Sequence, residues 1–191
     1  MIKELREATA AGVLDCKKAL EASDGNLEKA KTYLREKGLA AAAKKTDRTV
    51  KEGLIEAYVH TGSRVGSLIE LNCETDFVAR TEAFKELARD LAMQIVATKP
   101  LCLTPEDIPP DVLEEEKNIY RTQARDTGKP ENIVDKIVEG KLQKYYQDVC
   151  LMKQPFIKND EQTVQDRLNE TIAKLGENIV VRRFVRFGLG V

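Results

Sequence analysis

The chain has 191 residues, 33% of them charged, and its 31 lysines and arginines against 32 aspartates and glutamates leave a net charge of −1. That length suits one sizeable domain, or a small module plus a larger one. The interspersed, near-neutral charge excludes a global field that would draw the molecule onto nucleic acid or an anionic membrane. No apolar run approaches the ~18 residues of a membrane span, and the N-terminus opens in helix-like sequence with no signal peptide. A soluble cytoplasmic protein, or an organelle protein after processing, is expected.

Residues 2–38 read as three short helices. Leu5 leads the first, which ends at Ala10-Ala11-Gly12. The second carries Val13, Leu14, Cys16, Ala19 and Leu20 and stops at the turn cluster Ser23-Asp24-Gly25-Asn26. The third places Leu27, Ala30 and Leu34 at helical spacing, with Gly38 as its expected stop. So few apolar residues predict a minimal three-helix core, a small docking module. Residues 39–52 then change character, with LAAAAKKTDRT offering alanines that favour helix but little to bury. They read as a helical or semi-flexible linker, its cations Lys44, Lys45 and Arg48 on a solvated face.

From Gly53 the period becomes two. Ile55, Ala57 and Val59 alternate with Glu56, Tyr58 and His60, Thr61-Gly62-Ser63-Arg64 supplies a turn, and Val65, Ser67, Ile69 and Leu71 continue a second strand. This hairpin runs directly into Asn72–Arg80, NCETDFVAR, where the acidic Asp76 stands beside the aromatic Phe77 in a segment too polar for plain core. Beyond it, Phe84, Leu87, Ala88, Leu91, Ala92, Ile95 and Val96 form a helical apolar face that ends before Pro100 and packs against the hairpin.

Thr104-Pro105-Glu106-Asp107 has the pattern of a helix start, interrupted or restarted at Pro109-Pro110. Two charged amphipathic runs around Gly128-Lys129-Pro130 predict an antiparallel helical hairpin over about 111–147. A strand candidate at Asp148–Leu151 follows, then a helix at Thr163–Leu175 stopped by Gly176. In the final β-rich run Ile179, Val181, Val185 and Phe187 are expected on one face with Arg183 intruding, and Arg182, Phe184 and Arg186 on the other. The elements add up to an α+β chain: a three-helix module (1–38), a linker (39–52), and an antiparallel-sheet core with packed helices and a protruding helical hairpin (53–191).

Enzymatic chemistry has no support in these residues. No G-x-x-x-x-G-K-[ST], G-x-G-x-x-G, H-E-x-x-H or G-x-S-x-G occurs, and Glu114-Glu115-Glu116 are adjacent acids on a charged helix. His60, the single histidine, lies in a strand beside a turn with no paired nucleophile. Cys16, Cys73, Cys102 and Cys150 are far apart in sequence, with no C-x-x-C and no neighbouring His, which reads as reduced structural thiols rather than a metal site. Neither a cofactor nor a metal is expected; a protein that works by contact fits better. An alternative is an RNA- or ribosome-binding accessory module using Arg182, Arg183 and Arg186, against which the near-neutral charge counts.

Five segments, in order, resemble the translation elongation factor Ts family: LREATAAGVLDCKKALEASDGNLEKA, the NCETDFVAR core motif, Lys129-Pro130, Gln154-Pro155-Phe156 and the GENIVVRRF ending. The resemblance covers essentially the whole chain, with the departure that the family more often has Gly where Ala10 stands. It implies a guanine-nucleotide exchange factor for the GTPase elongation factor Tu, and a ubiquitin-associated-like fold for the N-terminal module. It also implies a short form with one core half, paired as a homodimer. By position, Asp76 and Phe77 would be the intruding pair that disturbs the partner's Mg²⁺ site, with Thr75 and Val78 shaping the loop. Arg6, Val13 and Leu14 would dock the module, and Leu91, Met93 and Gln94 would touch a more distant partner domain. From periodicity alone, a Phe just after a strand reads instead as a core cap.

Overall fold

Capping residues mark many of the helix starts in the computed structural model, which describes residues 1–9 and 11–190. The departure noted at Ala10 lies outside the described residues. Helices α1 (Ile2–Thr9), α2 (Val13–Ala22) and α3 (Leu27–Ala43) form the N-terminal module. Asn26 caps α3 by accepting the Lys29 N–H at 3.0 Å. Leu5, Cys16, Ala19, Leu20, Ala30 and Leu34 close a small core of their own.

Gly38 does not end α3. The alanines after it carry the helix on to Ala43, and Ala42 is buried in the main core rather than solvated. A Cβ at Gly38 would sit 3.7 Å from Ala173 of α8 (Val164–Leu175), so the small residue serves close helix packing. Arg35 bridges the same two helices through Asp166 at 2.8 Å. The segment read as a linker is therefore pinned along much of its length. Lys45 donates to the Ile172 carbonyl at 3.4 Å, and the Asn178 side-chain amide donates to the carbonyls of Thr46 and Arg48 at 3.2 and 3.0 Å.

The core sheet has the order β1-β2-β5, antiparallel throughout, from β1 (Glu52–Val59), β2 (Val65–Cys73) and β5 (Ile179–Gly188). Between β2 and β5 stand the single-turn α4 (Asp76–Ala79), α5 (Glu82–Thr98), the hairpin α6 (Pro110–Arg125) and α7 (Glu131–Val149), the short β3 (Pro155–Phe156) and β4 (Asn159–Thr163), and α8. One face of the sheet packs on α5, where Ile69, Leu71, Cys73, Phe84, Leu87, Leu91, Ile95 and Val181 are buried together. The hairpin has a separate small core of Ala124, Val134, Val138 and Leu142.

The structure fixes the faces of β1 and corrects two expectations. In β1 the residues turned toward α5 are Leu54 and Tyr58, packed on the core, while Ile55 and Val59 are exposed on the far side. In β5 a register shift between Glu70↔Arg183 and Leu71↔Val181 leaves Arg182 as an extra residue. This bulge reverses the alternation: Ile179 and Val181 face inward before it, and Phe184 faces inward after it, turning Arg183, Val185 and Phe187 outward. Finally, Asp148–Leu151 is not a strand. Helix α7 persists to Val149, and Cys150 makes only an isolated parallel bridge to Cys102. That bridge brings the two thiols to 3.5 Å although they are 48 residues apart. Burial pushes the Cys150 thiol up to about 12, so it stays protonated at neutral pH.

Candidate functional site

The β2 strand ends at Cys73, its last rung being Cys73↔Ile179, and the chain turns at once into α4. Thr75 is the N-cap, its hydroxyl accepting the Val78 N–H at 3.4 Å. The expected loop is thus a one-turn helix. Ala79 is buried and Val78 packs on the core, so the inner side of the turn is anchored. Phe77 points the other way and is 78% exposed. The core-cap reading therefore does not hold: the aromatic ring stands in solvent. Asp76 forms an ion pair with Arg80 at 2.7 Å, one turn on. A second N-cap, Thr81, accepts from Phe84 N–H at 3.3 Å and starts α5 directly behind the tip.

Below this tip, residues 74–75 and 177–178 exchange hydrogen bonds in both directions. The Glu177 carboxylate accepts from the Thr75 N–H at 3.0 Å and from the Thr75 hydroxyl at 2.6 Å. The Glu74 carboxylate accepts from the Asn178 N–H at 2.6 Å and from the Arg48 guanidinium at 3.4 Å. The Asn178 N–H, helped by Arg48, holds the Glu74 carboxyl below the usual carboxylate range. Sequence reading passed over Glu74 and Glu177, because nothing in their spacing of more than 100 residues signals that they meet.

The other named residues divide by exposure. Val13 and Leu14 are exposed at the start of α2, with Arg6 exposed on α1. Leu91 and Gln94 are fully buried. Gln94 donates to the Pro155 carbonyl at 3.1 Å and accepts from the Ile157 N–H at 2.8 Å. Of these three α5 residues, then, Leu91 and Gln94 hold the helix in place and only the half-buried Met93 reaches the surface. The three arginines of β5 do not converge. Arg183 pairs with Glu70 at 2.7 Å on the open face, Arg186 donates to the Val96 carbonyl at 3.3 Å on the core side, and Arg182 sits in the bulge. Among the described residues no group of three or more His, Cys, Asp or Glu is placed to hold a metal ion, and no helix is long and apolar enough to cross a membrane.

Comparison with known proteins decides the family. The family described as "Elongation factor TS" matches residues 4–190. The chain belongs to the elongation factor Ts family. It is 59% identical over 190 residues to "Elongation factor Ts" of Heliobacterium modesticaldum, covering 100% of this chain and 88% of that protein. The protein of the same name from Carboxydothermus hydrogenoformans is 60% identical over the same shares. That of Desulfosudis oleivorans is 54% identical, with 96% of its length covered. Membership of the elongation factor Ts family makes this a translation elongation factor, acting in protein biosynthesis.

Proposed function

We propose that the chain is a guanine-nucleotide exchange factor for elongation factor Tu and works by contact alone, without catalysing a covalent step and without a cofactor of its own. It presses Asp76 and Phe77 into the GTPase, disturbs the Mg²⁺ and phosphate site there, and releases GDP so that GTP can bind. The observation that carries this reading is the exposure of Phe77, 78%, on a turn whose opposite side is anchored in the core. An exposed aromatic ring on a turn anchored from behind supports that reading, since buried aromatic anchors carry much of the binding energy at interfaces. Mg²⁺ bridges nucleotide phosphates to a GTPase, so displacing it removes a large electrostatic attraction. Arg6, Val13 and Leu14 dock the N-terminal module on the partner, and Met93 adds a contact from α5. The reaction belongs in the cytoplasm, with protein synthesis.

Coupling between the two ligands of the GTPase is reciprocal: this factor binds the nucleotide-free partner most tightly and leaves as GTP enters. Release of labelled GDP from elongation factor Tu, with and without the chain, tests the reading. Stimulated release is expected with the wild-type chain. In Phe77→Ala the fold stays intact and stimulated release slows about tenfold or more, since burying one Phe contributes about 1.5–3 kcal/mol. Unchanged release in that variant would sink the wedge.

Homodimerisation is supported by the open sheet face. Ile55, Val59, Leu68, Val185 and Phe187 are exposed there on three adjacent strands, around the Glu70–Arg183 ion pair. An antiparallel sheet with one solvated face ordinarily turns polar residues outward. Two copies stacked face to face would bury this set.

A further inference from the structure

The β2–β5 ladder stops at Cys73↔Ile179, and the tip, capped by Thr75, is a helix of only four residues beginning at Asp76. So short a helix does not hold itself, because the first turn fixes several dihedrals for little return in hydrogen bonds. Something outside α4 must set its direction. The neighbouring strand supplies it in the two residues before its own ladder begins. There the backbone N–H groups of Thr75 and Asn178 have left the sheet, and each is taken up by a carboxylate from the opposite segment.

We propose that Glu177 is the positioning residue of the tip: its carboxylate grips Thr75 through both the backbone N–H and the hydroxyl, and thereby sets the line along which Phe77 leaves the core. The proposal rests on the exchange reading above. Three features carry it. Both oxygens of Glu177 are committed to the same residue, which fixes orientation as well as distance, as bidentate charge-assisted contacts do. That residue is the N-cap of α4, so its hydroxyl links Glu177 on one side to the Val78 N–H on the other. The grip is reciprocated by Glu74 on Asn178, whose side chain also holds the Thr46 and Arg48 carbonyls, so the anchor is not free to drift. Glu177 itself lies beside the tip without being part of it and acts through Thr75. A polar clamp made of charged acceptors suits this task better than apolar packing, since it constrains direction in a segment that must stay at the surface.

The test is labelled-GDP release from elongation factor Tu, titrated with full-length wild type, Glu177→Gln, Phe77→Ala and the double variant. Each curve is resolved into a maximal rate and a half-saturating concentration. Glutamine keeps the size but offers one acceptor where Thr75 presents two donors. The expected result is a maximal rate lowered about five- to tenfold in Glu177→Gln, with a half-saturating concentration within about twofold of wild type, because the N-terminal docking surface is untouched. The double variant should then be no slower than Phe77→Ala alone, since Glu177 acts through the tip that Phe77→Ala has already removed. Should Glu177→Gln lose its fold by thermal melting, the grip is read from the Thr75 side. Thr75→Val, which keeps the backbone donor and loses the hydroxyl, must then lower the maximal rate. A Glu177→Gln or Thr75→Val variant with wild-type maximal rate, beside a slow Phe77→Ala, overturns the positioning role and leaves the wedge standing. Additive effects in the double variant also overturn it. If Phe77→Ala itself releases GDP normally, the exchange reading fails first and the positioning role falls with it.

Discussion

Phe77 and Gly53 represent opposite demands on single residues. Phe77 stands free of the core, so its removal is expected to change folding stability by less than about 0.5 kcal/mol while slowing exchange; the two measurements together separate function from fold. Gly53 has no such freedom. Its φ is +147°, and a Cβ there would overlap the Leu71 carbonyl oxygen and stand 2.7 Å from the Asn72 Cα, both backbone atoms of the paired strand. Neither obstacle can rotate away as a side chain would. Gly53→Ala is therefore expected to cost about 2–4 kcal/mol, read as a lower denaturation midpoint in urea with an unchanged slope. Because Asn72 leads into Glu74 and Thr75, the same variant should loosen the base of the tip.

At the scale of elements, the three buried clusters respond separately. The hairpin core of Ala124, Val134, Val138 and Leu142 shares no buried residue with the sheet core, so damage to it stays local. Leu142→Ala is expected to cost about 2–5 kcal/mol and to raise amide hydrogen exchange across α6 and α7 while β2 and β5 remain protected; exchange rising equally in the sheet would contradict that independence. The hairpin was legible in the sequence because its apolar period and its Gly128-Lys129-Pro130 break are both local signals. Hidden from it were features set by distant partners. Gly38 reads as a stop until Ala173 is seen beside it. Leu91 and Gln94 read as contact residues until the Pro155–Ile157 segment is seen closing over Gln94. Asp76 and Phe77 were legible as an oddity of composition, but the Glu177 carboxylate that grips Thr75 beside them comes from 102 residues away along the chain.

For the molecule as a whole, the unpartnered feature is the open sheet face, where Ile55 and Phe187 are 67% and 65% exposed. A charge at its centre would be desolvated without a partner on pairing, so Leu68→Glu is expected to shift the chain from dimer to monomer in sedimentation equilibrium, with little change in secondary structure. A wild-type chain that is already monomeric at micromolar concentration would remove the pairing. The bulge at Arg182 reaches furthest across the molecule, because it makes parity a constraint on evolution of this strand. Removing one residue there would exchange the two faces of everything that follows, sending Val185 and Phe187 inward and Phe184 and Arg186 out. Lengths that differ by two preserve the face and lengths that differ by one invert it. The odd residue at 182 thus acts as a phase marker, through which Ile179, Val181 and Phe184 keep to the core while Val185 and Phe187 furnish an outward surface.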